Sequence, residues 1–221
     1  MSMYQAAQKV LEDYFAEAHL EVTPRIVEQF DVYTRLLVET NERTNLIGPF
    51  DALRIVEELF CDSLRLLQVV SIPDGAWVLD VGSGAGFPGL PLKIVQPSIL
   101  LRLVEPRRHR NAFLGLVARE LALENVERLS CKIEDLPPTP HALVCSKAFL
   151  PVEHWPQVAA PFCGEQGIIG VLGSLQEWER CAPALGLGER FGMVERVDYR
   201  THTGGKRVAV ALSVLAPPAT A

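Results

Sequence analysis

A doubly wound α/β fold with a helical N-terminal cap is predicted for this chain on three observations. Short apolar runs alternate with helical stretches from residue 76 onward, a glycine cluster closes the first of those runs, and the preceding 74 residues carry only helical periodicity. Alternation at that spacing means a parallel sheet covered by helices on both faces.

The cap comes first. Met1–Leu20 is charged and amphipathic, and Ile26, Phe30, Tyr33 and Leu37 recur at 3.6-residue spacing behind Thr23-Pro24, an N-cap followed by proline at N1. Asn41–Gly48 is a polar turn, after which Asp51 opens a helix striped by Leu53, Val56, Phe60, Leu64 and Leu67. The alternating part then reads strand 76–81, helix 88–96, strand 100–105, helix 108–122, strand 127–133, strand 142–146, helix 153–162, strand 167–172 and helix 174–182. The strand-like runs Met193–Tyr199 and Arg207–Leu215, joined by Thr201–Gly205, finish the chain as an antiparallel pair. We therefore expect a cap over 1–74, a Rossmann-like domain over 75–215 with a seven-stranded, mostly parallel sheet and an antiparallel last strand, and a flexible Ala/Pro-rich tail at 216–221, all as one unit. This is the layout of a class I S-adenosylmethionine methyltransferase.

Residues 78–89, Val-Leu-Asp-Val-Gly-Ser-Gly-Ala-Gly-Phe-Pro-Gly, carry the chemistry. Gly82, Gly84, Gly86 and Gly89 permit positive φ and close approach of backbone to a ligand, and Pro88 suits the first turn of the next helix. A strand-to-helix turn of this kind aims backbone N–H groups at a nucleotide or a carboxylate. Gly84, Gly86 and Gly89 formally match the GxGxxG of dinucleotide binders, so NAD competes with S-adenosylmethionine for the loop. Asp80 favours the latter, because a carboxylate at the strand end suits the ammonium of S-adenosylmethionine and repels a pyrophosphate. Glu105 closes the second strand about twenty residues further on, where a carboxylate accepts both ribose hydroxyls in either class. By the same geometry the loop at Ile133, Glu134 and Asp135 closes over an adenine.

Composition narrows the class. A chain of 221 residues that is 48% hydrophobic buries one sizeable core and is too short for a second substrate domain of the dehydrogenase kind. No apolar run reaches the ~20 residues that cross a bilayer, and the N-terminus lacks a signal peptide's pattern, so a cytoplasmic protein without a membrane partner is expected. Five cysteines without a CxxC pair and five histidines without ligand spacing predict reduced thiols and no metal. A net charge of −6 argues against broad coating of nucleic acid but leaves room for a specific RNA site. The basic run Arg107-Arg108-His109-Arg110 is the local exception, placed at a helix N-terminus that disfavours cations.

Taken together, these residues resemble a known family, the bacterial guanine-N7 methyltransferases of 16S ribosomal RNA, also called glucose-inhibited division protein B. The resemblance runs in order through Asn41-x-x-x-Asn45-Leu46, Asp62-Ser63, Asp80–Gly89-x-Pro91, Glu105 with Arg110 and Phe113-Leu114, Ile133-Glu134, Ser146-Lys147-Ala148-Phe149 and Gly205-Lys206-Arg207. It implies S-adenosylmethionine as cofactor, 16S rRNA or the small ribosomal subunit as partner, cofactor contacts at Gly82 and Phe87, adenine contacts along Ile133-Glu134, and a site residue at 147. The chain departs from the family pattern at Leu59, where a histidine is typical, at Lys147 for arginine, at Gly173 for lysine and at His109 for lysine.

Methyl transfer from a sulfonium is an in-line displacement with a neutral leaving group, and guanine N7 already offers a lone pair. Such an enzyme needs neither metal nor general base and works by positioning and preorganised charge. The Ser146–Phe149 stretch stands where an Asn/Asp-Pro-Pro-Tyr motif for exocyclic amines would be, and Cys145-Ser146 is not the Pro-Cys of pyrimidine C5 chemistry. Positioning candidates are Lys147 and Arg207 with Lys206 (RNA phosphate or cofactor carboxylate), Phe149 (purine stacking or core packing) and Asn45 with Asn41 (base contact or capping of their own turn). Alternative readings are a small-molecule methyltransferase of the same fold and a catalytically impaired cofactor- or RNA-binding protein.

Overall fold

Seven strands supply the frame: β1 (Trp77–Val81), β2 (Leu100–Val104), β3 (Val126–Leu129), β4 (His141–Cys145), β5 (Cys163–Ser174), β6 (Phe191–Arg200) and β7 (Lys206–Val214). The computed structural model describes residues 3–201 and 203–215, so the tail expected at 216–221 and His202 of the last turn lie outside the described residues. The strands form one sheet in the order β3-β2-β1-β4-β5-β7-β6. The first five are parallel, and β7 pairs antiparallel with both β5 and β6. β1 and β4 are neighbours although β2 and β3 intervene in the chain, so the crossover places the carboxyl ends of β1, β2 and β4 around one crevice.

Helices precede and cover the sheet. α1 (Met3–Glu17) and α2 (Pro24–Thr44) lead into a continuous helical stretch over 52–68. That stretch is α-helical at α3 (Ala52–Arg54), π-helical over Ile55–Cys61, α-helical again at α4 (Asp62–Leu64) and 3₁₀ over Arg65–Gln68. Thr23 caps α2 by accepting the Ile26 N–H, and Asp51 caps α3 by accepting that of Arg54. The π-helical register departs from the regular stripe expected here, for Ile55, Leu59, Cys61 and Asp62 are buried while Leu53 is only half-buried. Beyond β1 follow α5 (Gly89–Val95), α6 (Arg108–Glu120), α7 (Trp155–Ala159) and α8 (Leu175–Cys181).

Side chains alternate across the sheet as the pleat demands. Val78 and Leu101 join the cap's Phe15, Phe30, Tyr33 and Phe60 in one buried cluster, whereas Leu79, Val81 and Val144 pack with Trp155 and Trp178 on the other face. Two expected elements change at their ends. The strand expected over 127–133 stops at Leu129, because the Asp135 carboxylate accepts the Lys132 N–H and a 3₁₀ turn, Ile133–Asp135, begins there. The helix expected over 153–162 is α-helical only at Trp155–Ala159 and tightens to 3₁₀ over Ala160–Phe162 around Pro161.

Candidate functional site

The glycine loop leaves β1 at Val81 and is pinned to β2, since the N–H groups of Gly82 and Ser83 both donate to the Val104 carbonyl at 2.9 and 3.1 Å. Gly82, Gly84 and Gly86 hold φ of +68°, +57° and +103°, a region that favours glycine. The four glycines differ in what surrounds them. A Cβ on Gly86 would stand 2.3 Å from Leu90 and 2.5 Å from the Tyr33 hydroxyl, and one on Gly89 would stand 2.8 Å from Asp80 Oδ2, so both are consumed by packing. A Cβ on Gly82 would meet the Phe149 ring at 2.4 Å, whereas around Gly84 the nearest atom is Arg110 Nη1 at 3.6 Å. Gly84 is thus the open point of the loop.

The ring of Phe87, a residue implied as a cofactor contact, is 6% exposed and stacks on Tyr33 at 5.7 Å and 10°, with Phe60 also 5.7 Å away. That ring belongs to the cap's aromatic core. Tyr33 also donates its hydroxyl to the Ala85 carbonyl at 2.5 Å, so the cap grips the loop from behind.

The two strand-end carboxylates form an acidic floor. Asp80 is 0% exposed; Oδ2 accepts the Gly89 N–H at 3.0 Å, satisfying one donor of the first turn of α5, while Oδ1 is buried without a partner. Burial pushes its carboxyl up to about 7, against the lowering effect of the Gly89 N–H and the Ser83 hydroxyl. The carboxylate expected to face a cation at the strand end is therefore recessed beneath the loop. Glu105 is 3% exposed and is spanned by two backbone donors, Gly84 N at 3.0 Å on Oε2 and Arg107 N at 2.9 Å on Oε1. The bond to Gly84 makes loop and strand end one rigid ledge. Ile133 is buried with the second core cluster, and Glu134 beside it is exposed.

Across the crevice stands a cationic wall. Asp62 of α4, 1% exposed, receives Lys147 Nζ and Arg207 Nη2 (3.1 Å) on Oδ2. Its Oδ1 accepts the Tyr199 hydroxyl at 2.5 Å and has Arg207 Nε at 2.5 Å, an ion contact without hydrogen-bond alignment. Lys147 further donates to the Glu58 carbonyl of the π-helical segment at 2.8 Å. Burial would raise the Asp62 carboxyl, but Lys147 and Arg207 outweigh it and hold it below the usual carboxylate range. Lys147 itself is lowered, burial exceeding the attraction of Asp62. Neither Asp62 nor Tyr199 has a role that spacing alone assigns; the signal available for Asp62 is an acidic residue at a buried position of an apolar helix.

Other predicted residues fall elsewhere. Phe149 lies between Gly82 and Trp155, edge-on to the latter at 6.2 Å, and its chain neighbour Ala148 holds φ +54°. Asn45 is exposed and left-handed (φ +47°) at the end of α2, where its N–H donates to the Asn41 carbonyl. The Asn41 side chain caps the turn through the Ile47 N–H and the Gly48 carbonyl. Lys206 is exposed. Of the departures from the family pattern, Leu59 is core, Gly173 is backed by Val152 at 3.0 Å from a built Cβ, and His109 is exposed. Among the described residues no group of three or more His, Cys, Asp or Glu side chains is disposed to hold a metal, and no helix is long and apolar enough to cross a membrane.

Strand order, the antiparallel β7 and a glycine loop at the end of β1 define a class I methyltransferase fold. Solved structures agree at the level of fold: M. jannaschii TYW2 in complex with AdoMet superposes with a TM-score of 0.52 at 13% identity, covering 70% of this chain and 75% of that one. The family model described as rRNA small subunit methyltransferase G matches residues 26–181. The chain belongs to that family. Relatives named Ribosomal RNA small subunit methyltransferase G include one from Pelotomaculum thermopropionicum, 33% identical over 175 residues (79% of this chain, 66% of the relative), and one from Dehalococcoides mccartyi, 33% identical over 200 residues (86% and 85%). The chain thus spans just under two thirds of the first relative's length and most of the second's.

Proposed function

We propose that this chain is a cytoplasmic S-adenosylmethionine-dependent methyltransferase acting on guanine N7 of 16S rRNA, with residues 1–74 serving as a cap on the catalytic domain at 75–215. The observation that carries the reading is the glycine loop bonded through Gly84 to the Glu105 carboxylate within a chain of the rRNA small subunit methyltransferase G family. The cofactor's chemistry fits the residues present. Glu105 stands where a strand-end carboxylate takes ribose hydroxyls, Gly84 leaves room for the nucleoside, and Asp80 fixes the loop from below by accepting the Gly89 N–H. When bound, S-adenosylmethionine supplies an electrophilic methyl on a sulfonium.

Nothing in the site is required to remove a proton, because alkylating N7 releases none. The three buried carboxylates at this edge, Asp62, Asp80 and Glu105, all accept hydrogen bonds, which suits holding and not proton abstraction. Lys147 and Arg207 exceed the charge of Asp62 by one, and that surplus favours the polyanionic substrate on the wall side of the crevice. Rate then comes from aligning N7 with the methyl carbon.

The test is transfer of labelled methyl from S-adenosylmethionine to small subunits purified from a bacterial strain lacking its own N7 enzyme, the product located by strand scission at N7-methylguanine. Label at a guanine N7 of 16S rRNA is expected. Label on metabolites alone, or binding of cofactor without transfer to rRNA, overturns the reading in favour of a small-molecule enzyme or a binding protein.

A further inference from the structure

Among the described residues Arg110 is a partly buried cation at this site without a side-chain or carbonyl partner. The partly buried arginines elsewhere are committed: Arg102 to Glu127, Arg54 to Glu58, Arg65 to Glu17, Arg207 to Asp62. The Arg110 guanidinium makes no hydrogen bond or ion pair among the described residues, although its Nε is buried from solvent and so has no water to replace the missing acceptor. A buried donor left in that state is unfavourable, the more so on a charged group. It also sits in the first turn of α6, whose N-terminal dipole disfavours a cation and whose first turn holds no acidic residue. Its Nη1 leans over the open point of the loop, 3.6 Å from where a Cβ on Gly84 would stand. The one carboxylate close in sequence, Glu105, is already spanned by Gly84 and Arg107 N–H groups. The unmatched Nε and the helix dipole leave this guanidinium with donors free for an anion.

We propose that Arg110 and the N-terminal turn of α6 form an oxyanion site that receives a phosphate of the substrate RNA beside the methyl donor. The flanking Arg107, Arg108 and His109 are exposed and extend the positive charge outward from Arg110, as a polyanion requires and a single carboxylate does not. The planar guanidinium supplies the paired donors that phosphate oxygens match. The inference rests on the proposed function but predicts more, namely a residue that governs substrate binding and spares cofactor binding.

The experiment compares the full chain with Arg110→Ala and Arg110→Lys, after thermal unfolding establishes that all three fold. For small subunits lacking the N7 mark, Arg110→Ala is expected to raise KM about tenfold with kcat little changed, and to lower the slope of log affinity against log salt by about one phosphate's worth, roughly 0.7–0.9. Arg110→Lys recovers part of the loss. Calorimetric affinity for S-adenosylhomocysteine stays within about twofold throughout. Inorganic phosphate, a probe independent of RNA, raises the Tm of the unaltered chain and not that of Arg110→Ala. Weakened S-adenosylhomocysteine binding in Arg110→Ala, restored to parity when the ligand is 5′-methylthioadenosine, assigns the arginine to the cofactor carboxylate and overturns the proposal. Unchanged subunit KM and salt slope overturn it too. If the unaltered chain methylates no rRNA while phosphate still stabilises it through Arg110, the functional reading fails and the anion site stands.

Discussion

The two sides of the crevice are built from opposite materials. On the floor, Asp80 and Glu105 are held by backbone N–H groups of Gly89, Gly84 and Arg107, all within a 28-residue span of chain from 80 to 107. On the wall, Asp62, Lys147, Tyr199 and Arg207 hold one another by side chains drawn from α4, the loop after β4, β6 and β7, with Asp62 separated from its partners by 85, 137 and 145 residues. Backbone satisfaction is local and forms as soon as the strand-turn-helix folds. The wall exists only when cap, sheet and final hairpin have closed on each other, so Asp62 couples closure of the fold to placement of Lys147 and Arg207. One half of the site is thus a property of a motif and the other a property of the tertiary structure.

The largest effect belongs to Asp62→Ala, which leaves Lys147 and the half-buried Arg207 without their carboxylate. A stability loss of about 3–5 kcal/mol in urea unfolding is expected, against a small change for a surface acid such as Glu42→Ala. A floor substitution instead acts on binding. Gly82→Val forces a β-branched residue to φ +68° and into the Phe149 ring, and is expected to weaken S-adenosylhomocysteine about a hundredfold or more by calorimetry. The two sides should also titrate in opposite directions. The Asp80 carboxyl is raised to about 7 by burial, so between the unfolded value near 4 and that value the folded chain holds the extra proton, and stability falls as pH rises through this window. Asp80→Asn flattens that fall. Asp62 is lowered by its cations, so its contribution is present above about pH 4 and is lost as acid protonates it. Smallest is Tyr33→Phe, which removes the hydroxyl gripping the Ala85 carbonyl and is expected to cost about 1 kcal/mol, read as a shift in the urea midpoint without a change in slope.

This division also explains what could be read from the chain. Strand and helix alternation, the antiparallel finish, the glycine loop and Glu105 are local patterns of period, capping and punctuation, and the structure has the sheet and loop where those patterns lie. The π-helical register over Ile55–Cys61 is invisible to a 3.6-residue stripe, because the same apolar residues satisfy either geometry to within one position. The Phe87 ring turned into the cap since Tyr33 and Phe60, more than twenty residues upstream, offered it an aromatic surface. Asp62 and Tyr199 could not be joined by any spacing rule, their meeting being fixed by the placement of β6 at the sheet edge beyond β7.

The measurement that bears most directly on the whole account is calorimetric titration of the unaltered chain and of Glu105→Ala with S-adenosylhomocysteine, repeated in excess NAD. Stoichiometric binding that NAD leaves intact, and that falls at least about tenfold when Glu105 is removed, is the predicted result. Absence of binding, displacement by NAD, or equal affinity in the two chains would contradict it.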